Sequence, residues 1–329
     1  MSLTADDVTV FDNVVHVHNI DPANMLGPEG EVGINAWWKF LKSFPEDKRP
    51  ADFGEFAKRW SVDEVHKVVF DGSTDFAMAQ TVPLFDIWKD GLAAVERQHA
   101  LKAKDPERVV FVGGTDPVFN GVKGSVEEIE RQIEELGARS MKFYNAHSRG
   151  RTWRCDDPVL AYPMYTRALE LGVNLFQFHK GGPLAMEKIE DLKPNDLQQV
   201  ATDFPEANII IHHLAAPYTA EAIDIARRWP NVYLSMSTWI NELPIRPALV
   251  TSLVGEVLAR CGPEKLIFGS ELPLWPVARP LIDMVLALEM PNELQDGYGY
   301  PEITDDMRRM FMGGNLMRLM GMDPDDPKL

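Results

Sequence analysis

Two cysteines in 329 residues, Cys155 and Cys261, cannot build a disulfide framework, and neither has a close-spaced partner for a thiolate metal site. No uninterrupted apolar run approaches the roughly 18 residues that a membrane span needs. The first seven residues, Met1 to Asp7, have neither the basic region nor the apolar core of a secretory signal. Basic side chains are the scarcer charge: 33 Lys and Arg against 50 Asp and Glu leave a net −17. A surface of that sign repels phosphate backbones, so nucleic acid is not an expected partner. Low-complexity tracts and fixed-period repeats are also missing. A hydrophobic share of 45% excludes a disordered chain and leaves the expectation of a soluble cytoplasmic globular protein.

What recurs is a unit of short apolar run, loop and amphipathic stretch. The apolar runs are Val8–Val17, Phe76–Gln80, Val109–Val112, Ala138–Tyr144, Val173–Phe178, Asn208–Ile211, Val232–Met236 and Leu266–Gly269. Helical patterns separate them, among them a stretch from about Asp86 to Lys104 and "SVEEIERQIEELG", read with Ser125 as its cap and Gly137 as its stop. Eight strands alternating with helices predict a parallel sheet, and eight is the number that closes a (β/α)8 TIM barrel. The expectation is one α/β domain over residues 1–329, with insertions at about 20–60 and 271–300. An open doubly wound sheet would want a Gly-rich turn after its first strand, and "HVHNIDPANM" has none.

In such a barrel the chemistry sits at the C-terminal strand ends. Five of the eight histidines fall there: His16, His18, His179, His212 and His213, whereas His66, His99 and His147 fall in helices or a loop. His16 and His18 are two apart, so a strand presents both imidazoles on one face. Imidazole is the commonest metal-ligating side chain, so this pair reads as a metal clamp with His179 as third ligand. The alternative is ordinary packing inside the barrel. Glu271 directly follows the last strand, where a buried carboxylate needs a partner. A metal held by three histidines supplies one; a rim salt bridge or a loop cap are the alternatives. His212 and His213 are adjacent, so only one of them is expected to face the interior.

The loop after the fourth strand, "NAHSRGRTWRCDDP", carries Arg149, Arg151 and Arg154. Their guanidinium forks suit a substrate carboxylate, or else they pair with Asp156 and Asp157. Lys142, near the end of that strand, reads as a carbamylated metal bridge, a substrate-anion contact or a paired core charge. Trp37, Trp38, Trp153, Trp239 and Trp275 fall on segments at the same end and allow an aromatic pocket, with Trp239 and Trp275 as substrate contacts.

Four motifs together resemble the amidohydrolase superfamily, in particular the amidohydrolase-related branch that includes aminocarboxymuconate semialdehyde decarboxylase-like proteins and sugar-acid lactonases. "VVHVHNI" resembles its strand-1 His-x-His, "FQFHKGG" its strand-5 histidine, "IIIHHLAAP" its strand-6 motif and "LIFGSELPLWP" its strand-8 motif. The tail "MFMGGNLMRLMGM", with Asn315 and Arg318, resembles its closing helix. The resemblance implies His16, His18 and His179 as metal ligands. It implies His213 as the residue that polarises substrate or moves protons, with His212 as an extra. It makes the strand-8 acid a metal ligand and proton acceptor. Two positions depart from the pattern: Val14 stands where the family has an aspartate, and Glu271 stands where it has the shorter strand-8 aspartate.

The leading expectation is a metal-dependent hydrolase of a small, carboxylated lactone, amide or ester. One divalent cation, zinc first and manganese as the alternative, would bring a bound water's pKa toward ~7, with Glu271 and His213 as base and acid. The first alternative is a metal-dependent non-oxidative decarboxylase of an aromatic or unsaturated acid, in which His213 protonates the developing carbanion. The second is a metal-free barrel that only binds a ligand. The expected partner is a small molecule, with neither nucleic acid nor membrane, and a homodimer is the default assembly.

Overall fold

The computed structural model describes residues 3–273, 278–323 and 326–329, the Arg149 side chain excepted. Its strands are β1 (Phe11–Val15), β2 (Phe76–Gln80), β3 (Val109–Gly114), β4 (Ser140–Tyr144), β5 (Leu175–His179), β6 (Asn208–Ile211), β7 (Val232–Ser235) and β8 (Leu266–Ile267). All eight pair in parallel, in chain order, with helices between them. Asn13 N–H donates to Phe268 O at 3.1 Å and His16 N–H to Leu272 O at 2.9 Å, which brings the end of β8 back to β1. The fold is the expected (β/α)8 barrel. Among the described residues no helix is long and apolar enough to cross a membrane.

Strand alternation sorts the side chains into two sets. Ala77, Ala79, Phe176, Phe178, Ile209 and Ile211 face outward and pack under the helices. Phe76, Met78, Val110, Val112, Leu175 and Ile210 face inward and, with Leu316 and Met317 from the closing helix, plug the lower end of the barrel. Burying an apolar side chain of this size contributes about 1.5–3 kcal/mol. Asn315 Nδ2 ties the closing helix to Pro263 O (2.7 Å) and Leu266 O (2.9 Å), and Arg318 donates to Glu264 O at 3.0 Å. Both tail residues therefore hold the bottom of the barrel, far along the strands from the histidines.

Higher up, the inward positions turn polar. Gln80 Nε2 donates to Gln177 Oε1 at 2.8 Å, and Gln177 Nε2 donates to Ser140 Oγ at 3.2 Å. Lys142 is fully buried at the same level, paired in register with Gln177. The chain between β1 and β2 adds the helix Pro28–Leu41 and the short helix Phe53–Phe56; helices Arg279–Leu286 and Asn292–Tyr298 follow β8.

Two helix boundaries differ from the pattern-based expectation. Only Val95–Lys104 is helical in the stretch expected from Asp86. Gly91 sits at φ +79° with Pro83 O where a Cβ would go, at 2.4 Å, and bridges at Met25–Trp88 and Val82–Ala93 hold this segment as a loop. The helix expected to start at Ser125 starts at Pro117 and is kinked at Gly121; Asp116 caps it by accepting from Val118 N–H. Ser125 lies buried inside that helix.

The loops at the upper rim converge on His147, which is completely buried. Its Nε2 donates to Asp116 Oδ2 at 2.6 Å, and its Nδ1 lies 3.4 Å from Asp86 Oδ1. Burial alone would favour the neutral ring, yet the two carboxylates overcome it and raise the pKa to about 9. A raised folded-state pKa gives stability that is complete below the unfolded value near 6.5 and lost as pH climbs through 9. The shift corresponds to roughly 3 kcal/mol. Urea unfolding of wild type and His147→Gln should therefore show a stability gap that shrinks by about that amount between pH 6.5 and 9.5. A gap independent of pH would show that His147 is uncharged in the fold.

Candidate active site

β1 does not run straight into its histidines. Its register with β2 shifts between Asp12 and Val15, so the inward parity set by Phe11 moves by one residue. His16 and His18 then both line the cavity at the upper end, with ring centroids 4.8 Å apart. His16 Nδ1 donates to Gln80 O at 2.8 Å, which leaves its Nε2 lone pair facing Glu271 Oε2 at 3.8 Å. His179 ends β5 on the inward face and stacks on Tyr144 with ring centroids 4.4 Å apart.

Strand β6 continues the alternation one step further than expected. Ile210 points inward, and so does His212, whose Nε2 donates to Gln177 Oε1 at 2.7 Å. His212 therefore does not face away from the barrel; it occupies the polar layer beneath the cavity. Alternation would then turn His213 outward, but His213, Leu214 and Ala215 all adopt left-handed backbone, at φ 58°, 47° and 50°. Each such residue costs about 1–2 kcal/mol. Trp239 Nε1 steadies the turn by donating to His213 O at 2.9 Å. The turn re-aims the His213 ring into the cavity, where its Nε2 meets His179 Nδ1 at 3.1 Å and its Nδ1 meets Ser237 Oγ at 3.0 Å.

Glu271 sits at φ 61° on the segment that leaves β8. Asp12 anchors that segment, accepting from Ser270 N–H at 2.9 Å and from the Ser270 hydroxyl. The Glu271 carboxylate reaches between two of the histidines, 3.8 Å from His16 Nε2 and 3.4 Å from His213 Nδ1. Burial pushes its carboxyl up to about 7, against the pull of Lys142 and Ser237. Burial likewise holds His16, His18, His179, His212 and His213 below the ordinary histidine range, in the neutral form that ligates metals.

The donor set fits a divalent cation. His18 Nδ1, His179 Nε2 and Glu271 Oε1 are buried without a hydrogen-bond partner, beside a neutral His16 whose other nitrogen is already fixed by Gln80. Uncompensated buried acceptors of this kind are costly, and outer-sphere fixing of the second imidazole nitrogen is the usual support of a metal ligand. The tightest group differs from the expected triad. Among the described residues, the donor atoms that lie within 4.8 Å of one another belong to His212, His213 and Glu271. His16, His18 and His179 surround that group on the cavity side and do not themselves close so tightly. Of the three, His16 is the one placed against the Glu271 carboxylate, at 3.8 Å.

Above this floor lies a cavity of about 340 Å³. Trp37, Phe40 and Leu41 from helix Pro28–Leu41, with Phe56, Val82, Leu92, Tyr144, Leu184 and Trp239, make its walls largely apolar and aromatic. Two of the three expected arginine contacts, Arg151 and Arg154, do not line it. Arg154 is exposed and grips Asp156 through two bonds of 2.8 and 2.7 Å. Arg151 is exposed and lies over the Phe119 ring at 6.0 Å. Their local partners and exposure turn both out toward solvent. Lys142 sits below the cavity, with burial driving its pKa well down and the Tyr144 ring 5.5 Å from its Nζ. Trp38 stacks on Phe56 behind the wall, and Trp153 is buried near Asp116. Trp275 and the Arg149 side chain fall outside the described residues. Sequence reading missed the Phe56 and Leu184 walls, and Glu242 at the rim, ion-paired with Arg246. Pairing across distant loops leaves no local pattern for them.

Fold and site together define a (β/α)8 barrel with a histidine–carboxylate cluster at its C-terminal mouth. The chain belongs to the amidohydrolase family, whose pattern matches residues 15–321. No curated protein matches the sequence significantly. Among solved structures, an uncharacterised TIM-barrel protein from Bordetella bronchiseptica superposes with TM-score 0.70 at 18% identity, covering 95% of this chain and 99% of its own. An amidohydrolase from Burkholderia multivorans with bound zinc superposes with TM-score 0.60 at 14% identity, covering 96% and 100%. A 5-carboxyvanillate decarboxylase from Novosphingobium aromaticivorans with bound manganese gives TM-score 0.58 at 12% identity, covering 96% and 97%. At these identities the likeness is one of fold.

Proposed function

We propose that this protein is a metal-dependent non-oxidative decarboxylase of a small planar, aromatic or unsaturated acid. The observation that carries this reading is the division of the cavity into an apolar wall and a polar floor. Among the described residues that line it there is no cationic side chain, so a substrate carboxylate finds its partners only at the floor, where the reacting group must lie. His16, His18, His179 and Glu271 would hold the cation. Zinc suits the imidazole-rich set, and manganese is the alternative. When bound, the cation supplies positive charge and Lewis-acid polarisation to the carboxylate end of the substrate.

The chain's own residues do the rest. Trp37, Tyr144 and Trp239 sandwich a flat substrate body, and the apolar walls keep water from the carboxylate. A carboxylate stripped of water gains by dispersing its charge as the C–C bond breaks. CO₂ departs, and the bonding pair stays on the ring or alkene carbon. His213, whose Nδ1 lies 3.4 Å from Glu271 Oε1, is placed to deliver the proton that this carbon takes up. Solvent then restores the proton to the pair.

Hydrolysis is the second reading, and the same contact favours it, because Glu271 beside His213 is also placed to take a proton from water. A panel of hydroxybenzoates and of lactones, turned over in D₂O by the zinc- and manganese-loaded protein, separates the two. Decarboxylation releases CO₂ and leaves one deuterium on the carbon that bore the carboxyl group. Lactone opening without CO₂ release would overturn the proposal in favour of hydrolysis.

A further inference from the structure

The rim cluster around His147 lies outside the histidine–Glu271 site, yet it is built into the cavity wall. Leu184 lines the cavity, and its backbone N–H donates to Glu187 Oε2 at 2.8 Å. That carboxylate is buried, its other oxygen has no hydrogen-bond partner, and it feels the charges of His147, Asp86 and Asp191. The same turn is tied to the β4 loop by Met186 N–H donating to Ser148 Oγ at 3.3 Å. Ser148 N–H in turn donates to Asp86 Oδ2 at 2.7 Å, and Asp86 is one of the two carboxylates that flank His147. Further along, Thr152 Oγ1 donates to Asp191 Oδ2 at 2.7 Å and Asn145 Nδ2 to Asp191 O at 3.1 Å. His147 and its neighbour Ser148 thus link the loops that follow β2, β3, β4 and β5.

We infer that His147 is a positioning residue for the cavity: clamped between Asp116 and Asp86, it holds the Leu184–Glu187 turn as the β5-side wall against which the substrate body packs. The argument is electrostatic. Asp86 and Asp116 reach it from two loops, and Glu187, on a third, interacts electrostatically with His147, Asp86 and Asp191. Arg151 lies on the far side of the Phe119 ring that abuts His147. Asp86 and Asp116 flank the His147 cation at 3.4 and 2.6 Å, and burial pushes the nearby Glu187 carboxyl up to about 8, so that its ionisation as pH rises adds to the repulsion that His147 offsets. Removing it takes the positive charge from beside Asp86 and Asp116 and drives the turn bearing Leu184 toward solvent. The inference deepens the proposed function by naming what fixes one wall of its substrate cavity.

Amide hydrogen exchange at pH 7.5 tests it without needing turnover. In His147→Gln, peptides covering residues 183–191 should lose protection by a factor at least ~10-fold larger than peptides from β1, β5 and β6, which lose only what the lower global stability takes from them. Benzoate, used as the probe, should bind ~10-fold more weakly by tryptophan fluorescence, with zinc uptake unchanged. Wild type at pH 10, corrected for intrinsic exchange, should reproduce the loosening of 183–191. Asp86→Asn is the milder second variant and should loosen the same peptides if His147→Gln does not fold. Unchanged exchange at 183–191, or a uniform rise across the whole barrel, would overturn the inference. Loosening confined to 183–191 in a protein that releases no CO₂ would sink the proposed function and leave this inference standing.

Discussion

Glu271→Gln is expected to lower kcat at least ~10³-fold, about 4 kcal/mol at the barrier. The substitution keeps the shape but removes the charge that faces His16 at 3.8 Å and the proton site that faces His213 at 3.4 Å. Cation affinity should fall by more than the ~10–100-fold that follows loss of an outer-sphere partner, because a neutral amide replaces a ligating carboxylate. Glu271→Asp restores the residue usual in the family but withdraws the carboxylate by one methylene from histidines that are placed for the longer chain. It should therefore keep part of both activity and affinity. Steady-state kinetics and metal titration of the two variants check this, and an unaffected glutamine variant would make Glu271 a rim residue.

The second large effect is expected at His213. His213→Gln should cost ~10²–10⁴-fold in kcat, the range lost with a positioned acid or base, with KM changed by less than about 3-fold. Metal uptake should survive, because both His213 nitrogens are already engaged, one by Ser237 Oγ and one by His179. Loss of metal together with activity would instead make His213 a ligand.

The barrel was legible because alternation and helix periodicity are local properties of the chain. The apolar runs at Phe76–Gln80 and Asn208–Ile211 match β2 and β6 residue for residue. Gathering of histidines at strand ends was legible for the same reason. The adjacent pair His212 and His213 was not, since alternation turns only His212 inward and a strand rule cannot foresee the three successive left-handed residues that bring the His213 ring inside as well. The arginine loop misled because its charges find partners within two residues or on a neighbouring ring, as Arg154 does with Asp156 and Arg151 with Phe119. His147 looked like a loop histidine because its partners, Asp86 and Asp116, are 61 and 31 residues away along the chain. Such long-range pairings, which also build the cavity wall from Trp37, Phe56 and Leu184, carry no periodic signature.

The central claim is that the cluster at the barrel mouth is a metal centre organised around Glu271. Anomalous X-ray diffraction from crystals of the protein prepared with manganese or zinc tests it most directly. The account predicts one strong peak lying ~2.0–2.2 Å from nitrogens of His16, His18 and His179 and from the Glu271 carboxylate. No peak among these residues in crystals grown with excess metal, or a peak that persists unchanged in Glu271→Gln, would contradict it.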